Sequence, residues 1–225
     1  MIGHTAFQSL RVLLDPGETF VSEAGKMVRM SGNVDLDVTT ANKGGGGLLG
    51  GLKRMLGGET FFFSTYRVID GRPGEVVLAP TLPGNVGLLQ LDGTSGWYCT
   101  GGSYLASSSS IRTEAKWQGI KGLLSGENMV FIHCTGQGPV ATDAYGVVYQ
   151  ELVNGSFTVD TGHVVAFEDT LQYEISKVGG SWWTSWLAGE GFVLNFRGQG
   201  RVVCQSHNRN AFGKILGPML PERGA

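Results

Sequence analysis

The sequence alternates between short apolar or alternating segments and residue pairs typical of tight turns. Residues 34–38 alternate aspartate with aliphatic side chains, and residues 129–132 are continuously apolar. The pairs Asp70-Gly71, Asp92-Gly93 and Asn154-Gly155 supply the positive φ angle that hairpin turns need. This pattern predicts about fifteen to eighteen short strands, and hence an all-β fold of the sandwich or barrel kind.

The composition agrees with many turns and argues against several classes of protein. Of the 225 residues 37 are glycine, 41% are hydrophobic and 16% are charged. Such a chain is neither disordered, nor a coiled coil, nor collagen-like. The net charge of −2 lacks the basic footprint of nucleic-acid-binding proteins, so the charge argues against a nucleic-acid partner. A local basic group in the last third of the chain comprises Arg197, Arg201, Arg209 and Lys214.

Three cysteines, Cys99, Cys134 and Cys204, match no zinc or redox spacing. Cys99 and Cys134 stand within apolar segments, which predicts packed strand positions over reactive thiols. An odd cysteine count and an N-terminus without a signal-peptide pattern predict a reducing, cytoplasmic location. No apolar stretch approaches the length of a transmembrane helix, so no membrane span is expected.

Two sequence markers each occur three times and predict an internal repeat. The first is a Gly-Glu pair at residues 58–59, 126–127 and 189–190, each preceded by a short segment with helical apolar spacing. The second is an aromatic residue followed five positions later by glycine and then by an apolar segment, with the glycines at Gly25, Gly102 and Gly162. A Gly-Gln-Gly triplet also occurs twice, at residues 136–138 and 198–200. We therefore expect one compact domain of three related β units, at approximately 1–58, 59–126 and 127–225, joined by short helices.

These landmarks resemble, in their order, the family of the altered inheritance of mitochondria protein 24. The residues that carry the resemblance extend from about Thr19 to Leu220. They are Gly51-Leu52-Lys53-Arg54 before Gly58-Glu59, Leu82-Pro83-Gly84-Asn85, Gly162-His163-Val164-Val165-Ala166-Phe167, Gly189-Glu190-Gly191 and Gly198-Gln199-Gly200-Arg201-Val202-Val203-Cys204-Gln205-Ser206. The chain departs from the family at His207, where a hydroxyl or basic residue is usual.

The resemblance implies an architecture rather than an activity. Family members look like the tryptophan RNA-binding attenuation protein (TRAP), so the expected units are TRAP-like β-sandwich or double-stranded β-helix units repeated within one chain. The mitochondrial relative is associated with inner-membrane organisation, and the resemblance brings no catalytic motif. A ring-forming relative favours a homo-oligomer, and a trimer is the simplest symmetric expectation.

The helical segments supply the candidate interface residues. These are Leu52, Met55, Trp182, Trp183 and Trp186. Each apolar stripe is expected chiefly to cap its own β unit. Packing between subunits and contact with a membrane surface, where tryptophan and cations are favoured, are the two alternatives.

Catalytic and cofactor signals are weak throughout the sequence. The glycine-rich residues 43–58 lack the lysine and hydroxyl of a phosphate loop and are interpreted as a connector. The four histidines show no metal-ligand spacing, and Cys204 with His207 is weak evidence for a metal. Asp35 and Asp37 share one strand face, which indicates a solvated surface. Glu59, Glu127 and Glu190 are expected to bond turn amides, with a carboxylate ring in an oligomer as the alternative.

The sequence therefore predicts no enzyme, no cofactor and no metal. The expected function is a non-enzymatic scaffold or binding module that associates with itself, its protein partner unknown. The alternative is an RNA-binding or small-ligand-binding protein that uses clefts between the units. A peripheral role at a membrane surface is a third expectation, ranked below both.

Overall fold

The fold comes from a computed structural model of the chain. It describes residues 7–40, 62–118, 129–177 and 192–221, together with Met1 and Gly3. The strands in these residues are β1 (Leu10–Leu14), β2 (Thr19–Glu23), β3 (Met27–Met30), β4 (Val34–Thr40), β5 (Phe62–Val68), β6 (Gly74–Leu78), β7 (Val86–Asp92), β8 (Trp97–Thr100), β9 (Tyr104–Ser108), β10 (Ile111–Gln118), β11 (Met129–Asp143), β12 (Val148–Asp160), β13 (Val164–Glu168), β14 (Gln172–Lys177) and β15 (Phe192–Gln205). The all-β prediction is confirmed.

Helical structure in the described residues is limited to the end of the chain and two short turns. Helix α1 spans Arg209–Leu216, and 3-10 helices span Thr161–His163 and Gly217–Met219. The Asn208 side chain begins α1 by accepting hydrogen bonds from the backbone N–H groups of Asn210 and Ala211. The turn patterns of the sequence did not predict this helix. No helix in the described residues is long and apolar enough to cross a membrane.

The strands form a three-stranded sheet, β1–β6–β3, and a twelve-stranded sheet in which all pairs are antiparallel. In the first part of the chain, β6 lies between β1 and β3, while β5 lies between β2 and β4. In the middle part, the C-terminal half of β11 lies between β7 and β9, and its N-terminal half lies between β8 and β10. The last part places β15 between β12 on one side and β13 and β14 on the other.

Two further strand pairs connect these three parts. β2 pairs with β9, and β8 pairs with β13. Three buried apolar clusters form the core, and each cluster mixes residues from different parts of the chain. One cluster joins Phe63, Leu91 and Val165, for example. The core therefore holds the three parts together.

The long strands β11 and β15 contain glycines with positive φ angles where their pairing partners change. Gly136 and Gly138 in β11 have φ angles of 117° and 142°, and Gly198 in β15 has a φ of 114°. Only glycine adopts such angles readily, and its presence lets one strand pass from one pairing partner to the next. The Gly-Gln-Gly triplets therefore lie inside continuous strands, where the pairing partner changes.

Candidate interaction surface

Strand β3 is an exposed apolar edge. Within the described residues it pairs with β6 on one side only. Its residues Met27, Val28 and Met30 are all exposed, with Val28 59% accessible. A row of exposed apolar side chains beside unpaired backbone groups is a template for pairing with another strand.

Strands β9 and β13 show what such an edge looks like when a second strand covers it. β9 pairs with β11 and also with β2, and β13 pairs with β15 and also with β8. Leu105 in β9 and Val165 in β13 are both 0% exposed. In all three strands the pairing register shifts by one residue. The residue left without a direct partner at the shift is Val28 in β3, Leu105 in β9 and Val165 in β13.

The C-terminal half of β12 forms a second open edge. Residues 154–160 pair with β15, and within the described part of the chain no strand pairs with their other side. Phe157 and Val159 are only partly buried, although both pack against the neighbouring core cluster. Thr158 is exposed, and its hydroxyl donates a 2.8 Å hydrogen bond to the Asn195 side chain. This edge carries neither lysine nor proline, the residues that commonly protect sheet edges.

A buried group of charges fixes the start of β3. Lys26, immediately before the strand, donates to the Asp143 carboxylate at 2.8 Å and to the Thr81 hydroxyl at 2.7 Å. Arg209 binds the other oxygen of Asp143, and Glu23 lies 3.2 Å from the Lys26 ammonium. Burial raises the pKa of Glu23, an effect that the nearby Lys26 charge partly offsets. The group ties the turn before β3 to the end of β11 and to helix α1.

Helix α1 and the following turn present a second exposed apolar surface. Arg209 anchors the helix by donating to the Gly102 carbonyl at 2.7 Å. The exposed apolar residues are Phe212, Ile215, Leu216, Met219 and Leu220. Phe212, Ile215 and Leu216 are spaced three and four positions apart, which places them on one side of the helix, and Met219 and Leu220 follow its end.

An open groove of about 720 Å³ lies between β1 and the sheet formed by β2, β9 and β11. Apolar side chains such as Leu10, Val12 and Pro139 line it together with the consecutive serines at 107–110. The lining joins the first part of the chain to the middle part. A small, mostly apolar molecule with a few hydroxyl groups would suit these walls.

The histidines and cysteines of the described residues make structural contacts. His133 lies 3.0 Å from Asp169 and stacks on Tyr98, and His163 lies 2.9 Å from the Gln205 carbonyl. Cys99, Cys134 and Cys204 are buried, so the prediction of packed strand positions is confirmed for Cys99 and Cys134. Burial raises the pKa of Cys204 to about 11. Among the described residues, no group of three or more potential ligands is placed to hold a metal.

The surfaces described above do not test the predicted interface residues. Leu52, Met55, Trp182, Trp183 and Trp186 lie outside the described residues, as do Glu59, Glu127 and Glu190. Asp35 and Asp37 are exposed on one face of β4, with Asp35 3.2 Å from Arg67, so their assignment to a solvated surface is confirmed. The open edges were not predicted as sites, although the glycine marker aligned Met27-Val28 with Tyr104-Leu105 and Val164-Val165.

Comparison with known proteins gives related sequences and a related fold. A family model described as mitochondrial biogenesis AIM24 matches residues 1–207. An uncharacterised protein of Streptococcus pyogenes serotype M6 is 33% identical over 221 residues, which cover 96% of this chain and 88% of the relative. A crystal structure of a protein from Streptococcus pyogenes superposes with a TM-score of 0.81 at 28% identity, and the match covers 97% of both chains.

Proposed function

This chain belongs to the mitochondrial biogenesis AIM24 family, and on that premise we propose that it is a non-enzymatic scaffold or binding module that associates with itself. The observation that carries the proposal is the open apolar edge at β3. An exposed apolar edge is a template for pairing with a strand of another chain. A second copy of the chain is the partner that this function requires.

We further propose that the chain consists of three related units, as the resemblance to TRAP-like proteins implies. The pairing order supports this, because residues 10–78, 86–143 and 148–205 repeat the same arrangement of six strand segments. In each, the fifth segment lies between the second and fourth, and the sixth lies between the first and third. On this proposal the unit boundaries fall near Gly84 and Gly146 rather than at the Gly-Glu pairs.

A structural role for the polar residues supports a scaffold over an enzyme. Asp143 has the most buried carboxylate in the described part of the chain, and it binds two cations, Lys26 and Arg209, that hold the turn before β3 and helix α1 in place. Glu168 is held in the same way by Arg201, whose backbone N–H also donates to it at 2.7 Å. These groups serve the packing of strands against one another.

Native mass spectrometry of the purified protein, under conditions mild enough to keep bound species, tests the proposal. A discrete multiple of the 23.9 kDa chain is expected, a trimer being the simplest, without added mass. A monomer at all concentrations would overturn the scaffold proposal. The three buried thiols suit the reducing conditions of the cytoplasm, which is where we place the assembly.

The groove between β1 and β9 supports a second candidate function, the binding of a small ligand. Its walls come from two of the proposed units, as a cleft between units would require. A reproducible added mass in the same spectra is the expected result for this candidate. Binding to pooled RNA that weakens steeply with salt would instead support an RNA-binding role, which the net charge of −2 disfavours.

A further inference from the structure

We infer that copies of this chain join head to tail, with β3 of one copy pairing antiparallel to residues 157–159 of β12 in the next. This inference rests on the proposed self-association and specifies its interface. It commits to a second copy of the chain because the two open edges match strand pairs that already exist within the chain.

The internal pairs provide the geometry. β2 pairs with β9 through Phe20 opposite Ser108 and Ser22 opposite Ala106. β8 pairs with β13 through Trp97 opposite Glu168 and Cys99 opposite Ala166. In both cases the second strand of one part pairs with the third strand of the part that follows it. The remaining third strand is β3, and the remaining second strand is the C-terminal half of β12.

The register of the new pair follows from the existing ones. Ser22 in β2, Cys99 in β8 and Val159 in β12 occupy equivalent positions in the three parts of the chain. The residues opposite them are Ser64 in β5, Ile132 in β11 and Leu194 in β15, respectively. The register shifts of the third strands align Arg29 with Ala106 and Ala166. Val159 of one copy therefore lies opposite the partner's Arg29. Thr158 then lies opposite the partner's Met30, and Phe157 opposite the partner's Ser31.

The two open edges also belong to matching halves of a sheet. Each internal pair joins three strands to three strands, in the orders β7–β11–β9 with β2–β5–β4 and β12–β15–β13 with β8–β11–β10. At the ends of the chain stand β1–β6–β3 and the set formed by residues 154–160 with β15 and β14. Joining one copy to the next completes a third six-stranded sheet.

Side-chain exposure agrees with a missing strand at both edges. Val28 is 59% exposed, whereas Leu105 and Val165 at the matching positions are fully buried. Phe157 is half-buried, whereas Phe20 and Trp97 at the matching positions are buried. The one charge on β3, Arg29, is paired with Glu75 on the neighbouring β6, so it does not protect the edge as an unpaired cation would.

An interface of this kind is heterologous, since two different surfaces meet. Such contacts close into a ring when the rotation between copies allows it and otherwise continue as a filament. Every contact uses one edge of each kind, so copies that all lack the same edge cannot join one another. This property separates the inference from an association in which one edge pairs with the same edge of a second copy.

Two edge variants test the inference by light scattering after size-exclusion chromatography. Val28→Asp places a charge where the partner strand would bury it, and Val159→Lys does the same on the opposite edge. Each variant alone is expected to be a folded monomer, because every head-to-tail contact needs both edges intact. Mixed together they are expected to give a 1:1 heterodimer that does not grow, because each retains the edge that the other has lost. Ile69→Asp, at a similarly exposed residue (61%) outside both edges, is the control and is expected to assemble like the wild type.

Disulfide trapping tests the register between β3 and β12 independently of the two edge variants. Residues directly opposite one another in antiparallel strands bring their Cβ atoms to about 5 Å, so a Thr158→Cys/Met30→Cys double variant is expected to oxidise into covalent multimers. Thr158→Cys/Leu13→Cys, which pairs the same position with an exposed residue on β1, is expected to stay monomeric under denaturing electrophoresis.

The outcomes separate the two levels of the proposal. A wild-type oligomer that both edge variants leave intact would overturn the head-to-tail interface while the self-associating scaffold stands. A wild-type monomer that forms no trapped multimers would overturn both. Symmetric dimers that mixing does not change would replace the heterologous interface with a two-fold one.

Discussion

The Lys26 ammonium lies 2.8 Å from the Asp143 carboxylate, and both side chains are buried. Lys26 stands at the turn before β3, and Asp143 ends β11, 117 residues further along the chain. Arg209 from helix α1 reaches the same carboxylate. One buried anion thus holds an early turn and the C-terminal helix against the middle of the chain.

Lys26→Met is expected to destabilise the fold strongly. It leaves Asp143 buried with only Arg209 to balance its charge, and removing one partner of a buried ion pair typically costs about 3 kcal/mol or more. Urea unfolding followed by tryptophan fluorescence measures the loss. Arg67→Met, which removes the exposed pair with Asp35, is the control and is expected to change stability by less than about 1 kcal/mol. Equal effects of the two variants would contradict the structural role of Lys26.

Glu23→Gln is expected to change how stability depends on pH. Burial raises the pKa of Glu23 above its ordinary value of 4.5, so the folded chain holds this proton more tightly than the unfolded chain does. Below pH 4.5 both states are protonated and Glu23 contributes no pH dependence. As the pH rises through the raised pKa, the folded state must accommodate a buried carboxylate, and wild-type stability falls relative to the variant.

Unfolding free energies at pH 4 and pH 7 provide the measurement for Glu23. The variant is expected to gain on the wild type between the two values. A wild type that gains on the variant over this interval would show that the carboxylate is favoured in the folded state, contrary to the burial argument.

Much of the fold could be predicted from the sequence because its signals are local. Alternating segments and glycine turns are properties of neighbouring residues. They predicted the all-β class and about fifteen to eighteen strands, and the described residues contain fifteen. The marker glycines Gly25 and Gly102 do occupy turns with positive φ, at 81° and 76°. Gly162 differs, because it lies in a short 3-10 helix that Asp160 begins by accepting from its backbone N–H.

The open edges could not be predicted as a site because they depend on what is absent beside a strand. The mostly apolar sequence of β3 resembles that of a buried strand. Only the strand pairing shows that, within the described residues, no second strand covers its other side. Helix α1 was missed for a different reason. It is eight residues long, includes Gly213 and buries none of its residues, so its sequence carries little helical signal.

Gly84→Ala is expected to prevent normal folding. A Cβ atom at Gly84 would lie 1.6 Å from the Ala144 carbonyl oxygen, which is backbone and cannot move aside. The close approach arises because Gly84 forms a parallel bridge with Gly146, flanked by a 2.9 Å hydrogen bond from Asn85 to Gly146. This explains why the Leu82-Pro83-Gly84-Asn85 segment carries glycine at this point.

The expected loss for Gly84→Ala is about 3 kcal/mol or more, measured by thermal and urea unfolding. Gly32→Ala is the matched control, because no heavy atom lies within 4 Å of its added Cβ and its φ is not left-handed. It is expected to stay within about 0.5 kcal/mol of the wild type. A fully stable Gly84→Ala variant would contradict the contact between the two loops.

The three thiols are expected to resist modification in the folded protein. Thiolate is the reactive form, and burial raises the pKa of Cys204 to about 11. A hydrogen bond with Cys99, together with burial, raises the pKa of Cys134 well above its ordinary value. With Ellman's reagent at pH 8 the native protein is expected to show almost no reactive thiol. The protein unfolded in guanidinium chloride is expected to show three. Rapid reaction of even one thiol in the native protein would show that its strand opens to solvent, which the tight packing of β8, β11 and β15 around these residues opposes.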